Sequence, residues 1–221
     1  DTKDMLGPGL DFPDMFGASA PQTNNASMRN RGWELSLNWR GKIGNDINYS
    51  VGGSLSDATA EVTEYANPTG TNPAGNWYVG RKVGEIWGYR AEGIIQTQAE
   101  ADEYNKYDLS YLSGKAWEPG DVKYVDLNGD KAINRGKNTL EDMGDMTIIG
   151  NTTPRYQYTF NGSISWKDLS LSMMFQGVGK RDWDPGTAPY FWGSGAYAQV
   201  TVFNEHMDYW REDNPNAYYP K

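Results

Sequence analysis

The 221-residue chain contains no cysteine, which excludes disulfides, thiol nucleophiles and cysteine-ligated metals together. It has one histidine, His206, in the run Phe203-Asn204-Glu205-His206-Met207-Asp208. A single imidazole gives acid–base chemistry little to stand on, and neither a nucleophile elbow nor a phosphate-cradling glycine loop offers another route. The composition argues against an enzyme, with His206 in a structural or surface role. Positive charge is also scarce: 20 lysines and arginines stand against 29 aspartates and glutamates, a formal net charge of -9. With no basic run to offset that balance, the charge argues against nucleic acid as a partner. No apolar stretch approaches the roughly 20 residues of a membrane helix. That absence leaves a membrane β-barrel open, because barrel strands show themselves only by weak alternation.

Aromatic residues and glycine are plentiful, with 9 Trp, 15 Tyr, 6 Phe and 26 Gly. Such a mixture suits many strands joined by turns. Residues 1–28 show no clear period and read as loop or interface chain. From Arg31 the pattern changes: Trp33, Leu35, Leu37 and Trp39 alternate with Glu34, Ser36, Asn38 and Arg40. After the turn material Gly41 to Asp46, Ile47, Tyr49, Val51, Gly53 and Leu55 form one face of a second run. The spacing predicts a hairpin over about 31–57. A second hairpin is predicted over about 154–178, with Tyr156, Tyr158, Phe160, Gly162, Ile164 and Trp166 on one face. Leu169, Leu171, Met173 and Phe175 continue that face after the Lys167-Asp168 turn. Runs this long exceed the five or six residues of an average strand and approach the nine to eleven tilted residues that cross a bilayer. A long water-soluble sheet with one wet face has the same pattern.

Between and after the hairpins lie excursions over about 60–150 and 180–198. Val83 to Ile95 reads as short strand pieces broken by glycine. Thr97 and Glu100 form a capping-box pair that predicts one short helix through about Tyr107. Asp126-Leu127-Asn128-Gly129-Asp130-Lys131-Ala132-Ile133-Asn134 places side-chain oxygens at positions one, three, five and nine of a loop, with the Ala132 carbonyl at position seven. This is the oxygen spacing that calcium takes. Lys131 stands where position six wants glycine, and Lys137 where position twelve wants a carboxylate. A closing carboxylate could come from Glu141, Asp142 or Asp145 if the intervening residues loop out. The plainer alternative is a polar turn whose side chains cap their own backbone. Trp183, Tyr190 and Trp192 lie among Pro and Gly, either as staples of their own loop or as platforms on which a ligand could stack.

The order of several segments resembles a known family. Asn30-Arg31-Gly32-Trp33-Glu34-Leu35 with Asn38-Trp39-Arg40 is similar to a strand of the SusC/RagA-type TonB-dependent outer-membrane transporters. Val83-Gly84-Glu85-Ile86-Trp87-Gly88-Tyr89, Gly120 to Asp130, Ile148 to Tyr156, Phe175-Gln176-Gly177-Val178 and Tyr209-Trp210-Arg211-Glu212-Asp213-Asn214-Pro215 resemble further segments of it, in the same order. The resemblance implies an all-β fold: antiparallel strands forming a section of the C-terminal half of a large transmembrane β-barrel, with long extracellular loops and one short helix. It implies placement in the outer membrane of Bacteroidota and import of glycans or peptides. The implied partners are a SusD-like surface lipoprotein, outer-membrane lipid, and TonB acting through a plug that this chain does not include. The terminal residues read as cuts within a longer polypeptide. In the same alignment Asp145 closes the calcium loop, and eight residues within Arg135 to Gly144 are inserted before it. The alternative is a secreted, calcium-stabilised, β-rich carbohydrate-binding module, and burial of the Trp33/Leu35/Leu37/Trp39 face in a soluble core would favour it.

Overall fold

The computed structural model describes residues 1–7, 17, 23–67, 70–186, 188, 191 and 203–221. The described elements are, in chain order, β1 (Thr2–Leu6), β2 (Asn24–Ile43), β3 (Ile47–Tyr65), β4 (Glu85–Tyr89), β5 (Ala91–Ile94), α1 (Gln98–Tyr104), β6 (Val122–Tyr124), β7 (Met146–Asn151), β8 (Arg155–Trp166) and β9 (Leu169–Lys180), followed by a 3-10 turn at Asn204–Met207. The chain divides into two units. The first comprises Asp1–Pro68, Asn76–Glu85 and Gly150–Trp183, and the second Thr69–Gly75, Ile86–Ile149 and Asp184–Lys221.

The first unit is built on one sheet in the order β1-β2-β3-β8-β9, with every adjacent pair antiparallel. Both expected hairpins are present. The first turns through Gly44, whose φ of 63° favours glycine, and joins strands of 20 and 19 residues. The second turns at Lys167-Asp168 between two strands of 12 residues. The first hairpin is longer than its alternation suggested. Asn24 to Asn30 and Ala58 to Tyr65 carry no sustained alternation, yet their backbones continue the ladder, and Ala26, Val62 and Tyr65 form a small buried cluster there. The N-terminal residues expected to be loop instead supply β1, which pairs with β2 through two register breaks. Asp4, at φ 53°, lies between the paired residues Thr2 and Met5, and this irregularity hides the strand from a period-two reading.

The second unit buries an ordinary hydrophobic core: Ile95, Ala101, Tyr104, Leu109 and Ile133, with Tyr89, Tyr107, Leu112, Trp117 and Tyr124 packed around it. Helix α1 begins as expected. The Thr97 hydroxyl accepts the Glu100 N–H at 3.2 Å, and the Glu100 carboxylate accepts the Gln96 N–H at 3.0 Å. The helix ends at Tyr104, short of Tyr107, where Asn105 turns its side chain to the segment at Trp117. Its Oδ1 accepts from Trp117 N and its Nδ2 donates to Trp117 O, both at 2.8 Å. The Tyr104 hydroxyl donates to Tyr124 O at 3.1 Å and accepts from Tyr124 N at 2.9 Å, tying the helix to β6. Burial pushes the Tyr104 and Tyr124 phenols above the usual tyrosine range.

Candidate functional site

The register of the large sheet assembles one continuous apolar face. Leu37 lies opposite Gly53, Gly53 opposite Phe160, and Phe160 opposite Phe175. The next row runs Trp39, Val51, Gly162, Met173, and the one on the other side Leu35, Leu55, Tyr158, Gly177. These side chains face outward: Leu37 is 66% exposed, Trp39 68% and Phe160 46%. Soluble monomers rarely leave a contiguous patch of this kind uncovered, and such patches mark protein or membrane contacts. The expected alternative, in which this face fills a soluble core, is therefore not what the fold shows.

The opposite face is polar in the same rows. Ser36, Ser54, Thr159 and Gln176 align across the four strands, as do Arg40, Ser50, Ser163 and Ser172. Ser50 and Ser163 share a hydroxyl hydrogen bond of 2.8 Å. Asn38 and Asn161 flank Gly52 so closely that a Cβ there would lie 2.3 Å from the Asn38 amide oxygen. One face thus suits hydrocarbon and the other suits water. Along β2 the apolar positions from Trp33 to Ile43 cover roughly 34 Å at about 3.4 Å per residue. A strand tilt of about 40° reduces that to roughly 26 Å, close to the ~25 Å apolar band of membrane barrels.

Aromatics gather near both ends of this band. Trp39, Tyr49 and Trp166 lie toward the hairpin turns, and Trp33, Tyr156 and Tyr158 toward the opposite end. The Tyr49 ring covers its cross-strand partner Gly41, and the Trp39 indole donates to the Tyr49 hydroxyl at 3.3 Å. Tyr158 covers Gly177 in the same manner. A ring lying over a partner glycine restores the contacts the missing side chain forfeits. Beyond the band, Arg155 forms a two-pronged ion pair with Asp57, both bonds at 2.5 Å.

The oxygen-rich loop is drawn shut on its own backbone. Asp126 accepts from Gly129 N at 2.7 Å and Lys131 N at 2.9 Å, Asn128 from Asp130 N at 3.0 Å, Asp130 from Ala132 N at 2.8 Å, and Asn134 from Gly136 N at 2.6 Å. Lys131 takes φ 62°, the left-handed conformation that position six requires of any occupant. Asp145 is fully buried, and its two oxygens accept from Leu127 N at 2.8 Å and Asn134 N at 2.9 Å. Of the three acidic candidates, Asp145 bonds to the loop at both its start and its end. Residues 135–144 do loop out, pinched where Gly136 and Gly144 meet at positive φ. A Cβ on Gly144 would fall 2.5 Å from Asn134 O. The donors Asp126, Asn128, Asp130, Ala132, Asn134 and Asp145 are all oxygen, the type a hard cation takes. Among the described residues no three His, Cys, Asp or Glu side chains are gathered to hold a metal, so an ion here would draw on the amide and carbonyl oxygens as well.

Of the three loop aromatics, Trp183 is exposed. Tyr190 and Trp192 lie outside the described residues. His206 has both ring nitrogens engaged: Nδ1 accepts from Phe203 N at 3.0 Å, which makes Nε2 the donor to Phe191 O at 3.2 Å. Phe203 and Tyr219 pack edge-on against the ring. Trp210 belongs to the Tyr209 to Pro215 segment, and the sequence assigns it no site role. It is buried, and its indole N–H donates to the Gln96 amide oxygen at 3.0 Å.

No protein-family profile matches the chain. Among curated proteins it is similar to TonB-dependent receptor P26 of Formosa agariphila, with 25% identity over all of this chain and 21% of that protein. TonB-dependent receptor P3 of the same organism is 24% identical over 79% of this chain and 17% of its own length. The chain thus spans about a fifth of the curated relatives it matches. Among solved structures, that of the RagAB peptide transporter shares the fold over 99% of this chain and 22% of the matched chain, at TM-score 0.58 and 23% identity. The RagAB peptide importer in its closed-closed state matches over the same extent at 22% identity. The order of segments along the sequence, the open antiparallel sheet and these likenesses agree: over its whole length the chain is similar to TonB-dependent receptors, and it shares the fold of the matched section of the RagAB transporter.

Proposed function

We propose that this chain forms part of the wall and outward excursions of an outer-membrane importer driven through TonB. The observation that carries this reading is the apolar face of the β2-β3-β8-β9 sheet, exposed and about as tall as a bilayer's hydrocarbon core, backed by a face of Ser, Thr, Asn and Gln. Its outward side chains are the lipid contact and its polar rows line the water-filled lumen. The open edges at β1 and β9 are completed by strands from elsewhere in the receptor, since unpaired backbone is not tolerated in hydrocarbon. The cargo is a peptide or an oligosaccharide held beneath a SusD-like surface lipoprotein. The likeness to a peptide importer favours peptide. Exposed Trp183 is a proposed stacking surface for cargo or lid, the role the sequence also suggests for Tyr190 and Trp192. No catalytic step is part of this role.

The experiment is purification of the full-length receptor with and without detergent. The expected result is native strand circular dichroism only in detergent or lipid, together with uptake that requires TonB. A monodisperse, fully folded protein in plain buffer would contradict the reading. Calcium is the proposed fastener of the Asp126 to Asn134 loop, supported by its oxygen spacing and by Asp145. Calorimetry should then register calcium binding to wild type and lose it in Asp130→Ala, and an equal response in both would remove the assignment.

A further inference from the structure

The outward face is not evenly filled. Gly53 opens a dimple of about 610 Å³, walled by Leu35, Leu37, Trp39, Val51, Leu55 and Phe160. A Cβ built on Gly53 would meet only Thr159 O, at 3.5 Å, so no side chain from the sheet covers it. This sets Gly53 apart from Gly41 and Gly177, each of which lies beneath a cross-strand tyrosine. Its partner Leu37 lies near mid-height between Trp33 and Ile43. The dimple's side-chain walls are apolar, with Trp39 on the side toward the hairpin turns, while Asn38, Ser54 and Thr159 also contribute to the lining. On a lipid-facing surface, hydrocarbon is the matter that fills a dimple walled in this way.

We infer that the Gly53 dimple is a seat for one acyl chain of a membrane lipid, held in place more tightly than the surrounding tails. The inference rests on the reading of this face as lipid-facing. Bulky side chains rise around a backbone floor, so an inserted chain gains contacts on several sides, where a chain lying on the flat part of the face gains them on one. The volume lies within the roughly 300–1,000 Å³ of small-molecule sites. Phe160 and Trp39 supply flat walls, and a predominantly apolar lining sets no requirement on the headgroup. The seat selects a tail by shape alone.

The test uses full-length receptor in vesicles of phosphatidylethanolamine carrying a mid-chain diazirine, with adducts mapped by peptide mass spectrometry after photolysis. The expected result is a several-fold excess of adducts at Leu37, Val51 and Phe160 over Leu171 and Phe175. Gly53→Leu, which fills the dimple, should abolish that excess, and Gly53→Ala should reduce it in part. Equal labelling across the whole face would overturn the seat while preserving the lipid-facing reading. Absence of labelling anywhere on the face would overturn both. Leu37 left unlabelled while Leu171 and Phe175 are labelled would overturn the seat in favour of a second copy of the chain covering it. Cooperative refolding of Gly53→Leu into vesicles, followed by gel mobility, confirms that a lost excess is not lost structure.

Discussion

The two units of this chain solve opposite burial problems with similar amino acids. In the second unit Ile95, Tyr104, Leu109 and Ile133 are withdrawn from solvent around one helix, as in any water-soluble domain. In the first, Leu35, Leu37, Trp39, Phe160 and Leu171 point away from their own sheet, and the buried hydrophobic side chains among the described residues are Ala26, Val62, Tyr65 and Tyr78, none of them on that face. Hydrophobic content does not distinguish these regions. What distinguishes them is whether the chain itself provides the cover, and that dictates which solvent each requires.

Substitutions can break the contrast from either side. The largest effect is expected for Ile95→Ala, which leaves a cavity in the fully buried core of the second unit and should cost about 2–5 kcal/mol. Hydrogen exchange at the amides of α1 and β6 should report it whether the receptor is in detergent or in lipid. Leu37→Arg, at mid-height of the outward face, should cost about 2–4 kcal/mol in urea-driven unfolding from vesicles. The same substitution should be nearly silent if water covers that face. A smaller loss, about 1–3 kcal/mol, is expected for Asp145→Asn, since one of two backbone amides then faces an amide group instead of a carboxylate oxygen. Limited proteolysis at residues 127–145 is the readout, with the sheet unaffected.

Alkali should separate the units as well. The Tyr104 and Tyr124 phenols are raised above 10.0 by burial, so the unfolded chain ionises first. Their stabilising contribution is complete below about pH 10 and is lost as pH rises through the folded values. Exchange in the second unit should accelerate above pH 10, and Tyr104→Phe should flatten that rise while weakening the unit at neutral pH. The smallest expected effect is Lys131→Gly, which relieves a left-handed non-glycine conformation and should tighten the loop by up to about 1 kcal/mol.

Much of this architecture was legible in the residues, for reasons that differ by region. Trp33 to Trp39 and Tyr156 to Trp166 alternate because one side of the sheet differs from the other, so the hairpins and their outward faces could be read directly. β1 and the distal ends of β2 and β3 could not: small and polar residues on both faces leave backbone pairing without a side-chain signature. The loop's position-six conformation was doubtful from Lys131 alone, because the surrounding carboxylate–amide bonds that hold φ at 62° are invisible in sequence. Asp145 stood out only through the family resemblance, since ten residues of excursion separate it from Asn134. Helix α1 announced its start through Thr97 and Glu100, but its end depends on Asn105 meeting Trp117, a contact that sequence spacing does not reveal.

The central claim, that this sheet faces lipid on one side and water on the other, is tested most directly by spin-label accessibility along β2. Because the chain has no cysteine, nitroxides can be placed one at a time at residues 34 to 39 of the full-length receptor, cleared of any cysteine elsewhere, in vesicles. The account predicts oxygen access at Leu35, Leu37 and Trp39 alternating with access of a water-soluble nickel chelate at Glu34, Ser36 and Asn38. Nickel access at the Leu and Trp positions, or no alternation along the strand, would contradict it.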